Sequence, residues 1–276
     1  MRRARTVMTR RHWLAAATAV LLARTAHAQT QAHEQEKGPD AATAVTLCPT
    51  GTLRAALIVS NPVLITRAAD GALGGVSVEI ARALATQLGV PLDLKPYDNP
   101  ARYNQSLASD DWDVGIAARD PARKDHLVFS SPFMEVDNGY VARAGVKFAS
   151  ADNVDHTGIR IAVAQGSAPH TVLTRLIKNA EIVPVPGGFE AARQALATGQ
   201  ADLYAENLHL AHRIAAALPG AKVLRGRFNV VAMAIGVRKR AAAALPAIDA
   251  FVAQIRANGT VAKAIADNHL QGVRVP

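Results

Sequence analysis

The alternation of two hydrophobic periods restricts the fold of this chain more than any other feature. From residue 53 onward, short β-rich runs (53–59, 92–94, 113–118) alternate with stretches whose apolar side chains recur at helical spacing. Val76, Ile80, Leu84 and Leu88 are one such set, ended by Gly89-Val90-Pro91. A period of two buries one face of a strand, and a period near 3.6 does the same for a helix. Asn99-Pro100 supplies a cap and a first-turn proline for the next helix, which carries Leu107. A second set repeats the scheme, with strands over 159–164, 182–185 and 201–204. Its helices open at Gly166-Ser167-Ala168-Pro169, carry Phe189, Ala192, Ala195 and Leu196, and follow a cap at Asn207. A β-rich run between Phe133 and Ala142 lies between the sets, and a strand over 230–237 and two helices close the chain. Strands alternating with helices define an α/β protein with mostly parallel sheets, and two sets define two lobes.

The N-terminus reads as an address. Residues 1–28 hold six arginines and no acid, the apolar run 13–23 is too short to span a bilayer, and Ala26-His27-Ala28 has the small residues of a cleavage site. This predicts a secretion signal cleaved near Ala28 and a periplasmic mature protein. Thr9-Arg10-Arg11 also resembles the twin-arginine export motif, so two export routes stay open. Residues 29–46 read as a flexible leader.

The formal charge of +9 invites a nucleic-acid partner, but removing those six arginines leaves only +3. With 4% aromatic residues there is also little stacking surface, and no nucleic-acid partner is expected. Cys48 is the only cysteine and reads as a packing residue before the first strand; the scattered histidines make no metal signature. Neither a metal nor a cofactor is expected. G-x-S-x-G, Walker A, H-E-x-x-H and G-x-G-x-x-G motifs are all absent, so the motifs give an enzyme no support.

Two features suit a small anion. Residues 115–123 run from a strand into a turn and deliver Arg119 and Arg123, and guanidinium groups pair with carboxylates through two hydrogen bonds. Gln165-Gly166-Ser167-Ala168 lies where a strand enters a helix, and free N–H groups there attract an anion. Taken alone, solvated turn arginines and an ordinary helix cap explain both equally well.

The order of segments resembles the bacterial extracellular solute-binding proteins of family 3, the polar amino-acid-binding type. The resemblance rests on GTLRAALIVSNP, DGALGGVSVEIARALATQLGV, LASDDWDVGIAARDPARKDHLVFSSPF, RIAVAQGSA, ALATGQADLYAEN and the closing VAMAIGVRK to NHL, over about 51–270. It implies a two-lobed clamshell of the type II periplasmic-binding-protein fold with a two-strand hinge near 140–142 and 232–235. Lobe 1 would combine 50–140 with 234–276, and lobe 2 would be 141–233. A monomer would close on a small carboxylate or amino-acid ligand and present it to an ABC permease in the inner membrane.

By the same resemblance Arg123 is the carboxylate-clamping arginine. Ala118 stands where many members have a serine or threonine, Ser167 and Ala168 fall on the second lobe's Gly-Thr-Thr, and Arg102 matches a ligand contact of some acidic-amino-acid binders. Asn207 occupies the position of the aspartate that usually takes the ligand's ammonium group, with Glu206 beside it. The usual aromatic near the end of the first strand is missing, since Asn61-Pro62-Val63-Leu64 stands there, and Tyr97, Tyr103, Tyr140 and Tyr204 are candidates for the wall. The carboxylate clamp is therefore kept and the ammonium contact altered. Two alternatives stay open on this scaffold: a dehydratase-type cleft enzyme with Glu206 as its acid, and a sensory protein presenting its ligand to a receptor.

Overall fold

The computed structural model describes residues 40–276. The signal segment and most of the leader lie outside the described residues. Helix α1 (Ala41–Leu47) corrects the leader's last residues: Asp40 caps it by accepting from the Thr43 N–H at 3.1 Å, and Leu47 and Cys48 are buried. A seven-residue helix with one buried end carries no apolar period to read.

The first set comprises β1 (Leu53–Ile58), the short pair β2 (Thr66–Arg67) and β3 (Leu73–Gly74), α2 (Val76–Leu88), β4 (Leu92–Tyr97), α3 (Pro100–Gln105), β5 (Val114–Ala118) and β6 (Leu127–Phe129). Gly89, at φ +69°, ends α2 in the left-handed conformation that a Cβ disfavours, and Asn99 caps α3 with Pro100 in its first turn. The long strand β7 (Met134–Ala142) follows. The second set comprises β8 (Arg160–Ala164), α4 (Ala168–Leu176), β9 (Glu181–Val185), α5 (Phe189–Ala197), β10 (Leu203–Asn207) and α6 (Leu208–Ala217). The chain closes with β11 (Lys222–Val223), the long β12 (Asn229–Arg238), α7 (Leu245–Ala257), α8 (Thr260–Asp267) and β13 (Val273–Arg274). None of the described helices is long and apolar enough to cross a membrane.

All strands but β2 and β3 join one sheet whose main path runs β4-β1-β5-β12-β7-β10-β8-β9. The order is palindromic in plan. Each set places its first strand between two parallel neighbours, β4 and β5 around β1, β9 and β10 around β8. Antiparallel β12 and β7 join the sets, pairing with each other over 229–233 and 134–138. That crossing lies a few residues N-terminal to the segments near 140–142 and 232–235 that the resemblance implies, both of them within apolar runs. Those runs continue past it because β12 next pairs with β5 and β7 with β10. The buried side chains divide with the sets. One large cluster gathers α1, β1, α2, β5 and the start of β7 with the end of β12, α7 and α8, and a smaller one gathers Tyr103, Trp112 and their neighbours. Two others lie within 140–224.

An aspartate fastens each set in the same way. Asp113 donates its N–H to the Arg54 carbonyl (2.8 Å) and accepts the Arg54 N–H (3.0 Å). Asp202 donates to the Arg160 carbonyl (2.9 Å) and accepts the Arg160 N–H (3.0 Å). Each aspartate precedes the strand beside the first of its set, and each also holds a guanidinium: Arg54 on Asp113 at 2.7 Å, Arg143 on Asp202 at 2.6 Å. Burial pushes the Asp202 carboxyl pKa up, but the Arg160 N–H and the Arg143 guanidinium outweigh it and hold the value below the ordinary 3.8. A depressed carboxyl stabilises the fold above 3.8 and loses that contribution as pH falls through its folded value. Asp202→Asn is therefore expected to cost about 1–2 kcal/mol at neutral pH. In urea melts the gap to wild type should narrow as pH falls below 3.8.

Candidate functional site

The carboxyl ends of β5 and β10 point toward each other. Ala118 closes β5 opposite Met233, which is opposite Met134, while Asn207 closes β10 opposite Asn138. Along the crossing pair the two levels are four residues apart, about 13 Å of extended strand. In open parallel sheets the crevice beyond the carboxyl ends is where ligands bind.

Arg123 lies in a short 3-10 turn after β5 and is 4% exposed. Its Nη1 donates to the Ala118 carbonyl (2.9 Å), its Nε donates to Asn104 Oδ1 (3.0 Å), and its guanidinium lies 4.7 Å from the centre of the Tyr103 ring. Ala118 can accept that bond because of its register. The Arg119 N–H bonds the Ala232 carbonyl beside it, so 118 and 233 are a pair without mutual hydrogen bonds. Both polar groups of Ala118 therefore turn away from β12. No acid pairs with Arg123 among the described residues.

Tyr103 forms the floor under this guanidinium. It is fully buried and stacks on Trp112 with ring centres 5.4 Å apart, and Arg238 covers Trp112 at 3.7 Å. Burial pushes the Tyr103 phenol pKa up to about 12, against the pull of the Arg123 charge. A Cβ on Gly115 would lie 1.9 Å from the phenol oxygen, so only glycine leaves room for this ring. Asn104 was not legible as a site residue, because nothing in the sequence links α3 to a turn 19 residues later; Tyr103, a candidate for the wall, lies under the Arg123 guanidinium. Tyr140 and Tyr204 belong to the core instead of forming a wall, and Tyr97 packs edge-on to Tyr103.

The other candidates fall into two more groups. Ser167 caps α4 by accepting from the His170 N–H (3.2 Å), with Ala168 exposed at the first helical position. The Gly166 N–H is already committed to His170 Nδ1 at 3.0 Å. At the end of β10, Asn207 caps α6 by accepting from the Leu210 N–H (2.9 Å). Its own N–H and its Nδ2 both donate to Glu206 Oε1, at 2.8 and 2.9 Å. Burial raises the Glu206 pKa above the ordinary 4.5, opposed by these two bonds. Arg119 and Arg102 are exposed; the Arg102 side chain bonds only Gln105, at 3.4 Å. The structure thus joins Arg123 to Ala118, Ser167 to the start of α4 and Asn207 to Glu206. No hydrogen bond or ion pair joins one group to another among the described residues. Those residues also hold no cluster of three or more His, Cys, Asp or Glu suited to a metal. A separate groove of about 710 Å³ lies between α2 and the α7–α8 pair, lined by Glu79, Arg82, Phe251 and Asn258 among others, away from these residues.

Comparison with known proteins agrees with this geometry. Residues 53–271 match the bacterial extracellular solute-binding proteins, family 3, and the chain belongs to that family. No curated protein matches it in sequence. Among solved structures, a putative ABC-transporter binding component from Wolinella succinogenes complexed with lysine is similar at TM-score 0.68 and 20% identity, over 79% of this chain and 95% of that one. An amino-acid ABC transporter substrate-binding protein from Streptococcus pneumoniae bound to L-arginine gives 0.65 and 19%, over 83% and 99%. An ancestral amino-acid-binding protein, a precursor of cyclohexadienyl dehydratase, gives 0.66 and 21%, over 82% and 98%. The fold they share with this chain is the two-lobed type II periplasmic-binding-protein fold.

Proposed function

We propose that this protein captures a small carboxylate-bearing solute, an amino acid or a related organic acid, in the periplasm and delivers it to an ABC importer in the inner membrane. The carrying observation is Arg123. Burying a cation without a counter-charge is unfavourable, and a guest carboxylate supplies the missing partner. Asn104, Tyr103 and Ala118 fix the guanidinium before the guest arrives, which reduces the ordering cost of binding. Ser167 and the Ala168 N–H at the start of α4 face the guest from the second set, with Arg102 and Arg119 at the rim. The division of buried clusters supports lobes of 50–140 plus 234–276 and of 141–233, closing about the β7–β12 pair. Closure requires the guest to bind the closed form better than the open one. The solved relatives described as binding lysine and L-arginine favour the amino-acid branch of this reading.

A thermal-shift screen of the twenty amino acids and common organic acids, followed by calorimetry, tests it. A ligand at a hundredfold its Kd is expected to raise Tm by about 5–10 °C. Binding confined to solutes without a carboxylate would overturn the reading.

A further inference from the structure

The guanidinium of Arg123 has one nitrogen left open, and a neutral side chain decides which. Nε is given to Asn104 Oδ1 (3.0 Å), and Nη1 donates to the Ala118 carbonyl (2.9 Å). Nη2 makes no hydrogen bond among the described residues. Nor is it sealed from solvent. The buried polar atoms that lack a partner are Ser77 Oγ, Tyr103 Oη, Asn138 Nδ2, Tyr204 Oη and His209 Nδ1, and Nη2 of Arg123 is not among them. The small exposed part of this residue, 4% in all, therefore includes its free nitrogen.

Asn104 stands near the end of α3 and is itself exposed, whereas Tyr103 beside it is fully buried. One residue supports the face of the guanidinium, and the next holds its edge from the side that water reaches. Nε and Nη2 together form one of the forks by which a guanidinium grips a carboxylate. An acid at 104 would fill that fork and neutralise the cation from within. The amide has the same shape but brings no charge, so it fixes Nε and leaves Nη2 unspent.

We propose that Asn104 is the positioning residue that gives this site its preference for an anion: it holds Nε with a neutral acceptor, aims Nη2 at the guest's carboxylate and reserves the charge of Arg123 for the guest. The inference rests on the function proposed above and deepens it. It also assigns a role to the amide as such, since only an uncharged acceptor can orient the guanidinium without competing for it.

The test joins urea melts without solute to calorimetry on the full chain, with the twenty amino acids, acetate, lactate, succinate and citrate as probes. In Asn104→Asp, the probe that wild type binds best is expected to bind at least about tenfold more weakly. The urea midpoint of the same variant should rise, because the buried cation gains a counter-charge. That rise should vanish in the Arg123→Ala background, where no guanidinium remains to be paired. Asn104→Leu, similar in size but without an acceptor, should weaken the probe by about three- to tenfold and should not raise the midpoint. A merely structural Asn104 would lose midpoint and affinity together in both variants. Affinity of Asn104→Asp within about twofold of wild type, a midpoint that falls along with it, or a rise that persists without Arg123 overturns this inference alone. Failure of every carboxylate to bind wild type overturns the proposed function and this inference with it.

Discussion

Replacing Arg123 with alanine is expected to weaken solute binding by about 2–5 kcal/mol, thirtyfold to several thousandfold, while the unliganded protein still folds. The two effects separate because of how the guanidinium is held. Its partners are a carbonyl, an amide oxygen and a ring face, none of them charged, so the fold gains little from the cation it buries. The guest's carboxylate is the one strong partner the site provides for, and truncation removes that charge-assisted pair outright. Urea melts without solute should change by less than about 1 kcal/mol, since two hydrogen bonds to neutral acceptors are offset by the relief of a buried charge. Calorimetry with the ligand from the screen should show the loss. Gly115→Ala is the companion variant. Its Cβ would strike the Tyr103 phenol, displacing the ring on which the guanidinium rests, and it should reduce affinity without touching Arg123 itself. Unchanged affinity in Arg123→Ala would remove this residue from the site.

How far this arrangement was legible follows from which contacts are local. The α/β alternation, the glycine stop of α2 and the caps Asn99, Ser167 and Asn207 are set by neighbours in sequence, and the structure has each of them. The end of β10 was harder. An apolar run suggested a strand over 201–204, but the strand spans Leu203–Asn207 because β7 offers partners to Glu206 and Asn207 at Gly139 and Asn138. Pairing with a strand some 65 residues away leaves no local trace. The duplicated aspartates show the same limit. Asp113 lies five residues before Ala118 and Asp202 five before Asn207, so the spacing was visible. That both carboxylates clamp the strand next door depends on β1 and β8 arriving beside them, which no local pattern specifies. At the site, the charged residues were visible as types. Their surroundings, which decide that Arg123 is unbalanced and that Arg102 is solvated, come only from tertiary packing.

Asp113→Ala should be the most destabilising single change outside the apolar core, at about 3–5 kcal/mol. The Asp113 side chain is 0% exposed and accepts the Arg54 N–H, Nε and Nη2 together with Nη2 of Arg240. Alanine leaves those donors without an acceptor and Arg54 without its counter-charge, while Arg240 keeps Asp110, and breaking one side of a buried pair costs more than the pair contributes. The matching carboxylate, Asp202, should matter less, because its partners Arg143 and Arg160 are 37% and 38% exposed against 15% for Arg54. Water screens and re-solvates exposed guanidinium groups, whereas Arg54 has little access to it. With a total stability of about 5–15 kcal/mol for a typical protein, the loss is a large share. Cys48 provides an independent readout. Burial pushes its thiol pKa up to about 11, and the negative charge of Asp113 is the next contribution. Asp113→Ala removes that charge and loosens the packing around it, so labelling of this single thiol should accelerate as the urea midpoint falls. Asp113→Asn keeps the shape but not the charge, and its midpoint and labelling rate should lie between those of wild type and the alanine variant. A midpoint within about 1 kcal/mol of wild type for Asp113→Ala would show that the β1–β5 junction is held by its backbone bonds and apolar packing alone.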